Sequence, residues 1–187
     1  MNRPLEIFLS LVALVLTSPV TLVASIMVRL EGGGSAIYRQ RRVGKNGVEF
    51  EMLKLRTMKP GSDPVGVGTI VALGDPRVTR VGRWLRRTSL DELPNLVNVL
   101  RGEMALVGPR PTIPTQVAAY TERQHRRHEV RPGITGWAQV QGRAGIPWDE
   151  RIELDVEYVD QRSLRLDLEI LRRTIWLAAT GKGLAPD

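Results

Sequence analysis

The sequence predicts an α+β protein in which an N-terminal membrane helix precedes a mainly helical domain with a small β-sheet and amphipathic helices. Residues 7–28 carry no charge, which is typical of a membrane segment. Apolar residues recur at helical spacing over residues 90–100 and again over residues 152–175. Residues 48–58 alternate loosely, as a strand does. We therefore expect a membrane helix over residues 1–31 and a second domain over residues 32–187.

The composition narrows the classes of protein. The chain of 187 residues has room for one ordinary domain and a membrane element. Its 27 Lys and Arg against 20 Asp and Glu favour anionic partners, which include nucleic acid, phosphorylated metabolites and acidic membranes. The absence of cysteine excludes disulfides, zinc-thiolate sites and thiol catalysis.

The N-terminal segment is long enough to lie in a membrane. Its 22 residues from Ile7 to Val28 would extend about 33 Å as a helix, against a hydrocarbon core of about 30 Å. Pro19 should kink that helix because it removes a backbone donor. The helix then either crosses bent or turns back, with Ser18 bonding the freed backbone groups. The flanking Arg3 and Arg29 favour a cytoplasmic position for both ends.

Two other topologies compete with the re-entrant one. A cleaved signal peptide would use Val23-Ala24-Ser25 as a loose cleavage site, but the apolar stretch exceeds the usual length of about 7 to 15 residues. A single-pass anchor fits the residues as well as a re-entrant helix does. The residues alone leave that choice open.

The first part of the second domain combines a basic segment and a strand. Three glycines, residues 32–34, separate the membrane helix from Tyr38 to Arg42, which we expect near the lipid headgroups. In a strand over Val48 to Met58, Lys54 and Arg56 would project from one face. A loop rich in Gly and Pro should follow, over residues 58–74.

Helices and one sharp turn are expected in the remainder. A helix should start near residue 90, and Gly108 to Pro111 must form an irregular turn because two prolines restrict Arg110. Two helices fit the C-terminal pattern, the second capped by Ser163 and ended by Gly181. With Trp176, that helix either lies on the membrane surface or packs on the core. Its basic residues are Arg165, Arg172, Arg173 and Lys182.

The sequence contains no internal repeat, P-loop, dinucleotide fingerprint or His-rich metal motif. His125 and His128 are three residues apart among charged neighbours. We therefore expect them on a solvated helix face and not as a pair of metal ligands.

Asp91 and Glu92 are adjacent carboxylates at the predicted helix start, preceded by Arg86 and Arg87. Free backbone amides and the helix dipole there should keep Asp91 ionised. An ionised carboxylate can attack phosphorus when arginines or a divalent cation mask the phosphate charge. The alternative is a capping box, in which Ser89 is the cap and Glu92 only bonds back to it.

Seven cations lie close to Gly/Pro turns or element ends, positions from which a side chain can reach a phosphate. They are Lys54, Arg56, Arg86, Arg87, Arg110, Arg131 and Arg143. Singly, each is better explained as a surface residue, but the set suggests a polyanionic ligand. A non-catalytic module that binds acidic lipid or nucleic acid would explain the charge, but it gives Asp91 and Glu92 no role.

Together these segments resemble the bacterial sugar transferase family, the small monotopic polyprenyl-phosphate phosphoglycosyl transferases. The resemblance covers nearly the whole chain, and the order and spacing of its parts are specific. The parts are Ser18-Pro19, Lys54 to Met58, Arg83 to Leu96, Gly102 to Pro111, Arg131 to Trp137, Asp155 through Tyr158 to Ser163, and Asp167-Leu168.

The resemblance implies a re-entrant hairpin in the bacterial inner membrane, with both ends and the catalytic domain on the cytoplasmic side. It implies a ping-pong, Mg²⁺-dependent transfer of a sugar 1-phosphate from a nucleoside-diphosphate sugar, usually a UDP-sugar, to polyprenyl phosphate. Asp91 would attack the β-phosphate, and Glu92 would assist while holding Mg²⁺ with Asp91. Which sugar is used stays open.

The resemblance also implies binding residues and partners. Lys54 and Arg110 would contact phosphates, Asp167 would lie at the active site, and Arg131 would contribute to the nucleotide pocket. Arg56, Arg86 and Arg87, from the basic set, complete the expected substrate-binding residues. We expect the nucleotide sugar, the lipid phosphate, the membrane and a second copy of the chain as partners, and no nucleic acid.

Overall fold

The computed structural model describes residues 1–62, 74–142 and 145–180. It confirms an α+β fold that is mainly helical. The helices are α1 (Arg3–Gly32), α2 (Arg80–Thr88), α3 (Asn95–Arg101), α4 (Pro114–Val117), α5 (Glu122–His125), α6 (Trp137–Gln141), α7 (Trp148–Gln161) and α8 (Leu164–Thr180). The strands are β1 (Ile37–Val43), β2 (Glu49–Leu55), β3 (Ala105–Val107) and β4 (Gly133–Thr135).

The helix α1 is the apolar N-terminal helix that the sequence predicts. By length and composition it could cross a membrane. It begins at the cap Asn2, whose side chain accepts a hydrogen bond from the amide of Leu5. Pro19 lies inside the helix, and the carbonyl that it leaves without a partner is that of Val15. Ser18 donates its hydroxyl to that carbonyl at 2.8 Å, which confirms the predicted role of Ser18.

Both ends of α1 contact the rest of the protein, whereas its middle is exposed. Near the C-terminal end, Ala24 and Val28 are buried in one core cluster with Leu55 and Leu85. Near the N-terminal end, Arg3 donates to the carbonyl of Leu100 at 3.0 Å. Between these two contacts most of the apolar side chains are exposed, among them Val15 at 70% and Leu16 at 72%.

The strands β1 and β2 form an antiparallel hairpin, with Ile37 opposite Leu55. The prediction of β2 is confirmed, but the basic segment that we expected near lipid headgroups is strand β1, which the prediction missed. The strand has no apolar alternation, because Arg39 and Arg41 share a face with Ile37 and Val43. Both arginines are exposed and pair with Glu51 and Glu49 across the hairpin. The predicted loop after β2 lies partly outside the described residues, since residues 63–73 are not among them.

A second, parallel pair of strands joins β3 to β4. The chain after β3 runs so close to β4 that side chains do not fit. A Cβ on Gly108 would lie 2.4 Å from the carbonyl oxygen of Arg131, and one on Gly133 would lie 2.1 Å from the amide nitrogen of Gly108. These glycines therefore fix the start of the Gly108–Pro111 turn against β4.

The two C-terminal helices confirm the prediction. Ser163 caps α8, because its hydroxyl accepts a hydrogen bond from the amide of Leu166 at 3.2 Å. One face of α8 packs on the core through Ile170, which is buried, whereas Ile175 and Trp176 are exposed. The core-packed interpretation is therefore confirmed for the face of Ile170. Contact of the exposed apolar side chains with a membrane surface stays a prediction. The predicted end at Gly181 lies outside the described residues.

Candidate active site

The predicted helix start near residue 90 is a short 3₁₀ turn, Leu90–Glu92, and α3 begins only at Asn95. Ser89 adopts a left-handed conformation with φ of 56° and makes no capping hydrogen bond with its side chain. The capping-box alternative is therefore wrong. Because Glu92 is not engaged with a cap, its carboxylate is available for other partners.

Glu92 lies between two cations. Its Oε1 accepts hydrogen bonds from Nζ of Lys54 and from the guanidinium of Arg110, each at 2.7 Å. Burial alone would raise the pKa of Glu92, but Arg110 and Lys54 outweigh it and hold that pKa below its usual range. Glu92 is thus firmly ionised, and both cations use the same oxygen.

Asp91 occupies a less favourable environment for charge than its neighbour. It is buried, and burial, followed by the negative charge of Glu92, raises the pKa of Asp91 to about 6. Lys54, Arg110 and Arg86 oppose that rise. The helix start was expected to favour the ionised form, whereas the burial of Asp91 works against it. At neutral pH the carboxylate is still mostly ionised, and its partners are fewer than those of Glu92.

The position of Lys54 depends on how α3 is attached to β2. Asn98 of α3 accepts from the amide of Leu53 at 3.0 Å and donates to the carbonyl of Glu51 at 2.7 Å. Its side chain therefore bonds the edge of β2 as another strand would. This places Lys54 opposite Glu92, and burial lowers the pKa of Lys54.

Three further predicted binding residues, Arg86, Arg87 and Arg56, differ in their surroundings. Arg86 donates from Nε to the hydroxyl of Thr57 at 2.9 Å and is close enough to Asp91 to influence its charge. Arg87 is exposed. Arg56 follows β2, and its guanidinium lies next to Gly34. A Cβ built on Gly34 would be 3.7 Å from Nη1 of Arg56.

Two predicted residues have their contacts elsewhere. Arg131 donates to Glu6 of α1 at 2.6 Å and to the carbonyl of Met104 at 3.2 Å. Asp167 is buried, accepts from the hydroxyl of Tyr158 at 2.7 Å, and pairs with the N-terminal ammonium group. These contacts connect α1 with the domain, and none of them is with Asp91 or Glu92. Arg143 lies outside the described residues.

Sequence reasoning missed three charged residues next to the site. Arg42 of β1 donates to the carbonyl of Pro111 at 3.0 Å, and burial lowers its pKa to about 10. Arg127 and Asp155 form an ion pair that is almost completely buried. Asp155 begins one segment of the family resemblance, but no local pattern in the sequence gave any of the three residues a role at the site.

The prediction of a solvated face is confirmed for His125, which is exposed, but not for His128. His128 is buried, and burial lowers its pKa to about 4. Its ring stacks at 5.9 Å on that of Tyr120, so the prediction of a solvated face is wrong for His128. Among the described residues, no group of three or more His, Asp and Glu side chains could hold a metal ion by itself.

Known proteins resemble this chain over nearly its whole length. The sequence model of the family described as bacterial sugar transferase matches residues 1–181. An uncharacterized sugar transferase of Bacillus subtilis, EpsL, is 42% identical over 98% of this chain and 90% of its own length. UDP-glucose:undecaprenyl-phosphate glucose-1-phosphate transferases of Caulobacter vibrioides and Escherichia coli are 44% and 40% identical, over 93% and 97% of this chain.

This chain spans 68% of the length of the Caulobacter protein but only 41% of the Escherichia protein. The match with each of these three relatives covers at least 93% of this chain. The chain therefore belongs to the bacterial sugar transferase family.

Proposed function

We propose that the protein transfers a sugar 1-phosphate from a nucleoside-diphosphate sugar, a UDP-sugar, to polyprenyl phosphate, and so starts the assembly of a glycoconjugate or exopolysaccharide. The names of the relatives support this substrate class, since two are UDP-glucose:undecaprenyl-phosphate glucose-1-phosphate transferases. Another relative is an exopolysaccharide production protein of Rhizobium meliloti, 38% identical over 97% of this chain.

The observation that carries the proposal is the unequal environment of the two carboxylates. Glu92 is neutralised by Lys54 and Arg110, whereas Asp91 is buried beside it with a raised pKa. A carboxylate with few strong partners keeps its lone pairs for a reacting atom. The cations beside it stabilise the negative charge of the phosphate during the attack. This division of roles supports Asp91 as the nucleophile and Glu92 as the anchor of the cations.

The proposed reaction has two steps. The carboxylate of Asp91 attacks the β-phosphorus, an Oδ–P bond forms, and the bond to the bridging oxygen breaks, releasing the nucleoside monophosphate. A phosphate oxygen of the polyprenyl phosphate then attacks the same phosphorus. The Oδ–P bond breaks, the polyprenyl diphosphosugar leaves, and the carboxylate of Asp91 is restored. In both steps Lys54 and Arg110 contact phosphate oxygens.

The acidic pair fits Mg²⁺ as a cofactor. Mg²⁺ usually binds proteins through one or two carboxylates, with water and substrate phosphates completing its shell. Asp91 and Glu92 supply such a pair, and the cations bind only Oε1 of Glu92. When bound there, Mg²⁺ would neutralise charge on the phosphates.

We also propose a second copy of the chain as a partner.

The contacts of α1 support a re-entrant topology at the inner membrane. Ala24 and Val28 pack into the domain at one end, while Arg3 and Glu6 bond to it at the other. A helix that crossed the bilayer would place its ends on opposite sides, beyond the reach of one domain. We therefore propose that both ends lie on the cytoplasmic side with the domain, and that the exposed middle of α1 enters the membrane.

The experiment that tests the proposal traps the covalent intermediate. Purified protein is incubated with a UDP-sugar and Mg²⁺ but no lipid acceptor, and we expect release of nucleoside monophosphate to stop after one equivalent. Hydroxylamine then converts the acyl phosphate into a hydroxamate, which peptide mapping should locate on Asp91 within the tryptic peptide of residues 88–101. Because Glu92 lies in the same peptide, fragmentation must separate the two residues.

Matched variants complete that experiment. Asp91→Asn should give neither the burst nor the hydroxamate. Glu92→Gln should slow the burst but keep the modification on Asp91, since it loses the charge that holds Lys54 and Arg110. A hydroxamate on Glu92, or a burst from Asp91→Asn, would contradict the mechanism. No burst with any of a set of UDP-sugars would contradict the substrate class.

A further inference from the structure

The turn that carries Arg110 is fixed through its carbonyl groups. Its two prolines have no amide hydrogen to donate, yet four successive carbonyls, from residue 109 to residue 112, each accept a hydrogen bond. In chain order the donors are the amide of Gly133 at 2.9 Å, the guanidinium of Arg127 at 2.8 Å, the guanidinium of Arg42 at 3.0 Å and the amide of Val43 at 2.9 Å.

Arg127 is the donor to Arg110 itself, and it is a buried charge. Its side chain is 3% exposed and that of its partner Asp155 is 4% exposed. One terminal nitrogen of Arg127 bonds both Asp155 and the carbonyl of Arg110, while the other bonds the hydroxyl of Tyr120 at 2.6 Å. A hydrophobic pair would often be as stable as a buried ion pair. Stability alone therefore does not account for this arrangement.

The side chain of Arg110 has little else to fix it. It is 48% exposed, and its guanidinium bonds Glu92 at 2.7 Å. A long side chain that is not packed takes its position from its backbone and from its charged partner. The backbone at Arg110 is therefore the point at which the domain can set how that guanidinium approaches the acidic pair.

We propose that Arg127, held by Asp155, is a positioning residue that aligns Arg110 for the phosphate of the substrate. This inference rests on the proposed transferase function, and it adds a residue that acts through Arg110 and does not touch the substrate. A planar guanidinium is suited to the role because it offers donors in fixed directions to several acceptors at once. The ammonium of a lysine would keep the charge beside Asp155 but not the fork that reaches both Tyr120 and Arg110.

The test is a double-mutant cycle on turnover. Arg127→Lys, Arg110→Ala and the double variant are compared with the wild type for kcat and KM, as release of nucleoside monophosphate with both substrates present. We expect Arg127→Lys to lower kcat/KM by about 10-fold, since displacements of about 1 Å can cost more than that. In the Arg110→Ala background, where no guanidinium remains to be aligned, the same change should cost less than about 2-fold.

A purely structural role predicts a different outcome. Loss of folded protein would lower activity by the same factor in both backgrounds, and equal losses would overturn the positioning role. Arg126→Gln serves as the matched control, because Arg126 is the neighbour of Arg127 and pairs with Asp160 at the surface, away from the turn. It should leave kcat/KM unchanged.

If Arg127→Lys does not fold, Tyr120→Phe replaces it in the cycle, since it removes one partner of Arg127 and keeps the ring. Equal losses with and without Arg110 would again overturn the inference. A wild type that releases no nucleoside monophosphate would contradict the proposed function and this inference together. An active wild type with additive losses would contradict the positioning role alone.

Discussion

Replacing the proposed nucleophile should make the protein more stable while it removes activity. Asp91 is buried, and its pKa is raised from 3.8 to about 6, first by burial and then by Glu92. Its ionised form is therefore less favourable in the folded protein than in the unfolded chain. Asp91→Asn keeps nearly the same shape without that charge. We expect the variant to be inactive and to unfold at a higher temperature than the wild type at pH 8.

The size of the stability gain in Asp91→Asn and its pH dependence follow from the pKa shift of Asp91. A rise of about two pKa units corresponds to roughly 3 kcal/mol, as an upper value for a carboxylate coupled to a neighbour. For a raised carboxyl pKa, the folded state binds more protons than the unfolded state between the two pKa values. The penalty is therefore present above pH 6 and disappears as pH falls below about 4. Asp155, also raised to about 6, affects wild type and variant equally and cancels.

The assay is thermal unfolding of both proteins in detergent with a chelator, at pH 8 and at pH 4, beside turnover at pH 8 with Mg²⁺. The chelator keeps metal binding at Asp91 out of the comparison. We expect a gain of several degrees for Asp91→Asn at pH 8 and a much smaller one at pH 4. A variant that is less stable than the wild type at pH 8, or one that remains active, would refute the reasoning.

Three further predictions concern the cations, the membrane helix and a cap. Arg110→Ala and Lys54→Ala should raise the barrier to turnover by roughly 2 to 4 kcal/mol while circular dichroism stays unchanged; unchanged rates would remove both from the site. A cysteine at residue 2 should be shielded from an impermeant reagent in intact cells, and Pro19→Leu should increase its labelling by favouring a full crossing. Ser163→Ala should cost about 1 kcal/mol of unfolding free energy with unchanged kcat, and a large loss of kcat would place α8 nearer the chemistry.

Local patterns in the sequence were enough for the elements that depend on local interactions. The apolar helix α1, strand β2 and the two C-terminal helices each depend on periodicity or on a cap within a few residues. Strand β1 was missed for the converse reason. Its arginines are neutralised by Glu49 and Glu51 of another strand, and such partners are not visible within the segment itself.

The candidate site shows the same division. The sequence alone singled out Asp91 and Glu92 as a candidate reactive pair, with a helix cap as the alternative. It also placed Lys54 and Arg110 in the set of cations, because residue type and adjacency to turns are local properties. Only the tertiary structure decided that Glu92 is not part of a helix cap. Its Oε1 instead binds Lys54, 38 positions away in the chain, and Arg110, 18 positions away.

The tertiary structure also decided the charge on Asp91. A helix start favours ionisation, but burial and the neighbouring carboxylate raise the pKa, and both depend on which side chains cover the site. The tertiary structure also distinguishes Arg127, a buried charge bonded to the carbonyl of Arg110, from the exposed arginines. In the sequence these arginines look alike. The physical reason is that burial and charge pairing come from contacts between distant segments, whereas the sequence by itself determines the residues and the elements that carry them.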